Sequence, residues 1–66
     1  MEKKISIEGM SCNQCVNRVN EVLEDLNIKV LEVNLNKKYA LVDTNIENEV
    51  IVEAILEIGY NVISII

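Results

Sequence analysis

Apolar and polar residues alternate near the start of the chain, where Ile5 and Ile7 lie on one side of residues 4–8. A period of two is typical of a strand with one buried face. Gly9 follows directly, and a residue without Cβ lets the backbone turn sharply out of a sheet. The pattern predicts a first strand over residues 4–8 that ends at Gly9.

The apolar spacing then changes to three and four, which is the stripe of an amphipathic helix. Within residues 13–26 this stripe consists of Val16, Val19, Val22, Leu23 and Leu26. Asn27 is expected to end the first helix because asparagine tolerates a positive φ. A second stripe consists of Ile51, Ala54, Ile55 and Ile58. We expect Thr44-Asn45 to cap the start of this second helix and Gly59 to end it.

Three further strands are predicted from shorter segments. Residues 28–36 and residues 39–43 both alternate, and the polar link between them is short enough to make them an antiparallel hairpin. The β-branched residues 60–66 predict a last strand. In the first strand of the hairpin Leu31, Val33 and Leu35 are expected to face inward. In the second, Ala40 and Val42 share one face and Tyr39 and Leu41 the other.

The predicted order of elements is strand, helix, strand, strand, helix, strand. This is the ferredoxin-like βαββαβ arrangement of the α+β class. Right-handed crossovers place both helices on one face of a four-stranded antiparallel sheet. At 66 residues the chain is expected to be a single domain, residues 1–66. The loop before the first helix and the loop after the second then lie at the same end of the sheet.

Charge and hydropathy narrow the range of functions. The chain has eleven acidic and six basic residues, a formal charge of −5, and no basic run longer than two residues. We therefore expect no nucleic-acid partner. No apolar stretch is long enough to span a bilayer and no apolar signal region follows Met1, so we expect no direct membrane insertion and a cytoplasmic location.

The two cysteines of the chain, Cys12 and Cys15, form a C-x-x-C motif at the start of the first predicted helix. A helix N-terminus favours the thiolate form, and residues three positions apart on a helical turn can direct two sulfurs at one ion. The chain has no His and no third Cys, so it cannot build the closed four-ligand site of structural zinc. Soft ligands in low number favour Cu(I), and they also accommodate Hg(II).

Two alternatives to a metal site remain for the cysteine pair. The residues could be small buried residues, although polar Ser11, Asn13 and Gln14 around them argue for exposure. They could also form a thioredoxin-like redox site. At 66 residues the chain is short for that fold, and without Pro it cannot supply a cis-proline beside a disulfide.

Two further residues are candidates for the surroundings of the sulfurs. Met10 could supply a thioether ligand, but it is expected to be a core residue that anchors the loop, because Met fills irregular gaps. Tyr60, in the loop after the second helix, could screen the sulfurs with its ring or hydroxyl, or could cap the edge of the sheet.

Residues 9–15, Gly-Met-Ser-Cys-Asn-Gln-Cys, resemble the G-M-[T/S]-C-x-x-C signature of the heavy-metal-associated domain family, and Gly59-Tyr60 also resembles that family. Its members include small bacterial copper chaperones and the N-terminal domains of copper-transporting P-type ATPases. The resemblance covers essentially the whole chain. Ser11 stands where the family more often has Thr, and Tyr60 matches a position where bacterial chaperones of the family commonly have Tyr.

The resemblance implies a binding protein and not an enzyme. It implies Cu(I) held by Cys12 and Cys15 in near-linear geometry, with Met10 beneath the loop and Ser11 and Tyr60 beside the sulfurs. Metal would pass to the C-x-x-C motif of a partner, such as a copper-transporting ATPase, through shared sulfurs, and a copper-dependent homodimer is expected. The alternatives are an excised ATPase domain, a mercury-binding protein or a thiol–disulfide redox protein; an initiating Met and the lack of a linker favour the free-standing chaperone.

Overall fold

A computed structural model describes residues 1–66. It has six elements in the predicted order of strand, helix, strand, strand, helix, strand. They are β1 (Glu2–Glu8), α1 (Asn13–Asp25), β2 (Lys29–Asn34), β3 (Tyr39–Asp43), α2 (Asn48–Glu57) and β4 (Asn61–Ile65). The α+β, ferredoxin-like class expected from the sequence is confirmed.

The four strands form one antiparallel sheet in the order β2-β3-β1-β4. The strand that leads to the cysteines is therefore a central strand, hydrogen-bonded on both sides. β1 pairs with β3 from Glu2 opposite Asp43 to Ser6 opposite Tyr39, and it pairs with β4 on its other edge. Because β1 is hydrogen-bonded on both sides, it fixes the position at which the cysteine loop leaves the sheet.

Ten buried apolar residues form one core between the sheet and the helices. Strand residues at alternate positions meet helix residues spaced by four, as the two periodicities require. Burial of each large aliphatic side chain contributes about 1.5–3 kcal/mol. The core consists of Ile5, Ile7, Met10, Val19, Leu23, Ile28, Ala40, Val42, Ile51 and Ile55.

The expected inward position of Leu31 is wrong. Its side chain is 45% exposed, whereas its neighbour Val30 packs against the core. The pairing of β2 with β3 shifts register between Val30 and Glu32, which is a β-bulge. One extra residue reverses the alternation that precedes it, so Val30 faces inward together with Val33, which lies after the bulge and was predicted correctly.

The expected cap of the second helix at Thr44-Asn45 is also wrong. The helix begins at Asn48, and its N-cap residue Glu47 makes no side-chain capping hydrogen bond. Thr44 is buried, and its Oγ1 accepts a hydrogen bond of 3.1 Å from the Ile46 N–H. Threonine stabilises such a turn by the same chemistry that would cap a helix, so the sequence alone does not separate the two.

The predicted helix ends are confirmed by their backbone angles. Asn27 has φ of 59° and Gly59 has φ of 95°, both in the left-handed region that ends helices. Neither helix combines the length and the apolar composition needed to cross a membrane.

Candidate metal centre

The cysteine loop leaves β1 through Gly9, whose φ is 97°. This conformation is strained for residues with a Cβ, so glycine is required to turn the chain out of the sheet. The next side chain, that of Met10, turns into the core and is fully buried, while Ser11 stays exposed. Met10 thus ties the loop to the core directly before Cys12, as expected of an anchor.

Cys12 is the N-cap residue of α1 and has an extended backbone, and Cys15 lies in the first turn. Their Sγ atoms are 3.1 Å apart and both cysteines are free. Cys12 is exposed, whereas Cys15 is half-buried and packs against the core. The sulfurs therefore face the surface as a pair, which excludes the reading of both cysteines as small buried residues.

Tyr60 brings the loop after α2 against the cysteine loop. A Cβ added to Gly9 would lie 3.2 Å from Cδ1 of the Tyr60 ring. The Tyr60 ring therefore packs on Gly9, where a side chain would crowd it. The predicted meeting of the two loops at one end of the sheet is observed.

The electrostatics of the site favour a thiolate at Cys15. The pKa of Cys15 is lowered to about 6, first by the interaction of the thiolate with the Tyr60 side chain and then by the Cys12 side chain and the backbone at Ser11. The same interaction with Cys15 raises the pKa of the Tyr60 hydroxyl. No acidic residue lies in the first turn of α1, so no carboxylate there opposes the negative charge at this helix N-terminus.

The protein offers two sulfurs and no further cluster of metal ligands. No group of three or more His, Cys, Asp or Glu side chains comes together anywhere in the structure. Two soft donors at the surface suit an ion that accepts low coordination numbers, and leave the other side of that ion open to incoming ligands.

The family of the chain is shown by a match over most of its length. The pattern described as the heavy-metal-associated domain matches residues 4–61. The chain belongs to the heavy-metal-associated domain family. The copper chaperone CopZ of Enterococcus hirae is 38% identical over 64 residues, covering 91% of this chain and 93% of that protein.

Two solved structures of metal-binding proteins have the same fold. A heavy metal binding protein of Thermotoga maritima matches with a TM-score of 0.85 and 31% identity, over 98% of this chain and 96% of that one. A copper binding domain from a P-type ATPase matches with a TM-score of 0.82 and 29% identity, over 100% of this chain and 95% of the other.

Two features of the site in this heavy-metal-associated domain were missed at the level of sequence. One is the packing of the Tyr60 ring on Gly9. The other is Arg18, whose positive charge lowers the pKa of the Tyr60 hydroxyl, whereas the two cysteines raise it. Arg18 lies three residues after Cys15, which places both on one side of α1; that spacing was the available signal.

Proposed function

We propose that this protein binds a soft metal ion, foremost Cu(I), through the sulfurs of Cys12 and Cys15 and hands it to another protein. The observation that carries the proposal is the pair of free, surface-facing sulfurs 3.1 Å apart, with no other metal ligands grouped in the structure. Two sulfurs bind a monovalent soft ion firmly, but they cannot enclose it. The relationship to a copper chaperone supports copper as the cargo.

Binding requires the two sulfurs to separate. With the zinc–thiolate bond length of about 2.3 Å as a guide, the sulfurs would lie about 4.6 Å apart on either side of a linear ion. The observed separation is 3.1 Å, so it must widen by roughly 1.5 Å on that bond length. Cys12 is the residue that can move, because it is exposed, whereas Cys15 packs against the core.

Transfer uses the open side of the bound ion. A first thiolate of the partner would join the ion as one sulfur of this chain leaves, and the partner's second thiolate would then replace the second sulfur, so that two metal–sulfur bonds form for two that break and no free ion is released. The partner we propose is a C-x-x-C domain such as that of a copper-transporting P-type ATPase, and the structural match to a copper binding domain from a P-type ATPase supports this choice. The exchange is placed in the cytoplasm, where reducing conditions keep both thiols free. Transfer of this kind exchanges metal–sulfur bonds and thiol protons and forms no new covalent product, so we propose that the protein is a carrier and not an enzyme.

Copper competition tests the proposal. The reduced protein is titrated with Cu(I) against a chromogenic chelator without oxygen, together with the double variant Cys12→Ser/Cys15→Ser. Ser64→Ala is the matched control, since it changes an exposed residue of β4 outside the cysteine loop and leaves both sulfurs in place. One copper per chain with two sulfur neighbours by X-ray absorption is expected for the parent and the control. Equal affinity of the double variant would contradict the proposal.

Thiol–disulfide exchange is the second candidate, because the sulfurs lie 3.1 Å apart and the pKa of Cys15 is about 6. Reduction of insulin at catalytic rates would favour it over metal carriage. Competition between Cu(I) and Hg(II) for the reduced protein distinguishes the two soft ions. The copper-dependent homodimer stays a prediction, which sedimentation with and without copper tests.

A further inference from the structure

The last strand, β4, lies at one edge of the sheet. The strand order is β2-β3-β1-β4, so β4 pairs with β1 on one side and has no partner strand on the other. Ile66 exchanges two backbone hydrogen bonds of 3.0 Å with Lys4, so its N–H and C=O groups point towards β1. Because backbone groups alternate in direction along a strand, those of Ile65 point to the free edge. This edge therefore offers a donor and an acceptor to another strand.

The free edge of β4 carries no charged side chain. β4 is the only strand of the sheet without Lys, Arg, Asp or Glu, and residues 60–66 contain no Pro. Proteins use charges, Pro and bulges to keep edge strands from pairing with other chains. The bulge of β4 lies before Ser64, and residues 64–66 pair regularly with β1 beyond it. Ile63 is 65% exposed, so a large apolar side chain accompanies this edge.

The opposite edge of the sheet is protected. β2 contains Lys29 and Glu32 within its six residues. A bulge between Val30 and Glu32 also interrupts its pairing with β3 in the middle of the strand. Both features oppose the addition of a further strand. Only the β4 edge is therefore suited to pairing.

A second copy of β4 is the partner that fits this edge. Two antiparallel copies of one strand are related by a two-fold axis, so the donor of each copy faces the acceptor of the other. The chain has a formal charge of −5, and two copies therefore repel each other. Contact through β4 brings together two strands without charged side chains, so it adds no like-charge pair to that repulsion.

We infer that β4 pairs with β4 of a second copy and joins two four-stranded sheets into one continuous sheet. Ile65 lies opposite Ile5, whereas the cysteine loop begins only after Glu8. Pairing at Ile65 therefore leaves both cysteines accessible and requires no metal ion. This dimer differs from the copper-dependent homodimer, in which the sulfurs form the contact. The inference goes beyond the proposed function and does not depend on it.

Two lysine variants test the pairing. The shared surface is small, so the association is expected to be weak. Ile63→Lys adds a charge at an exposed position of β4, and Leu31→Lys is the matched control, because it makes the same change of charge at an exposed position of β2. The double variant Cys12→Ser/Cys15→Ser removes every contact through sulfur. Each reduced apo protein is measured by sedimentation equilibrium and amide NMR up to about 2 mM, which covers dissociation constants of about 1 mM.

The parent and the cysteine double variant are expected to form the dimer equally well, with an Ile65 amide signal that shifts as the protein concentration rises. Ile63→Lys should weaken the association at least about tenfold, whereas Leu31→Lys should stay within about threefold of the parent. Salt raised from about 10 mM to about 150 mM should strengthen the dimer, because the Debye length falls from about 30 Å to about 8 Å and the repulsion between the copies is screened.

Four results would overturn the inference. They are a parent that stays monomeric at about 2 mM, equal association of the two lysine variants, loss of the dimer in the cysteine double variant, and a dimer that weakens as salt is added. The shift of the Ile65 amide is measured in the parent, so this part of the test does not depend on the folding of Ile63→Lys.

Discussion

Replacement of Met10 separates an anchor from a metal ligand. Its side chain is 0% exposed within the core, two residues before Cys12. Met10→Ala removes the packing of the loop, and Met10→Leu keeps the volume but removes the thioether sulfur. Ile63→Ala is the matched control for truncation, because Ile63 of β4 is 65% exposed.

The magnitude follows from complete burial. Truncation of a buried Met to Ala costs about 2–5 kcal/mol, through lost transfer free energy and the cavity that remains. A chain of this length has a total stability of roughly 3–10 kcal/mol. Met10→Ala is therefore expected to lose a large part of the free energy of unfolding. Met10→Leu should lose less than about 1.5 kcal/mol, because the exchange nearly conserves volume.

Two measurements on each variant check this reasoning. Urea denaturation of the apo protein gives the free energy of unfolding, and anaerobic chelator competition gives the Cu(I) affinity. We expect Met10→Leu to keep the parent affinity within about threefold, a free-energy difference below about 0.7 kcal/mol. A stable Met10→Leu variant that binds copper tenfold or more weakly would show that the thioether is a ligand, and the argument from burial would be refuted.

The remaining predictions concern the second loop and its effect on Cys15. Tyr60→Phe should raise the pKa of Cys15 above about 6, as measured by thiolate absorbance. Tyr39→Phe should leave that pKa unchanged, because the Tyr39 hydroxyl donates to the Glu32 carboxylate and not to a cysteine. Gly9→Ala and Gly59→Ala should each cost about 1–2 kcal/mol, because both glycines have positive φ. Only Gly9→Ala should also shift that pKa, since only its Cβ meets the Tyr60 ring. The Cys15 thiolate should contribute its full stabilisation above pH 9 and lose it as the pH falls through about 6, because the pKa of Cys15 in the folded state is depressed from 9.0. Urea denaturation of the parent and of Cys15→Ser across this pH range tests this. Free energies of unfolding that change with pH by the same amount in both proteins would contradict it.

Periodicity predicted most of the fold because β1, α1, β3 and α2 each have one buried face, whereas β4 was predicted from its β-branched residues. The switch from a period of two to spacings of three and four separates β1 from α1, and residues with positive φ end both helices. These are local signals, which one sequence contains in full. The order of elements then left few topologies, since right-handed crossovers fix the faces of the sheet.

The two wrong predictions have a common cause. Leu31 is displaced by a bulge, and Thr44 closes a turn where a helix cap was expected. In both cases the residue types permit two local structures, and long-range pairing decides between them. At β2 the deciding contacts come from β3, the partner strand that places Val30 on the core side.

The site was predicted only in part, because some of its features follow from local sequence and topology and others from tertiary packing. The spacing of Cys12 and Cys15 is local and predicts their approach, and topology predicts that Tyr60 lies at their end of the sheet. The packing of Tyr60 on Gly9 depends on tertiary geometry. Its effect on Cys15 does so as well, because a hydroxyl lowers a thiol pKa only at hydrogen-bonding range.

Protonation links the scaffold to metal exchange. A thiol that holds its proton at neutral pH must lose it before it can bind a metal ion, so at each exchange a proton would leave the accepting thiol and one could return to the sulfur that releases the ion. With a pKa of about 6, Cys15 is about nine-tenths thiolate at pH 7 by the definition of that constant. The buried Met10 and the Tyr60 ring hold the loop that produces this state, and they do so without covering Cys12. The rigid part of the site thus supplies an ionised sulfur, while the exposed part remains free to meet the sulfur of a partner.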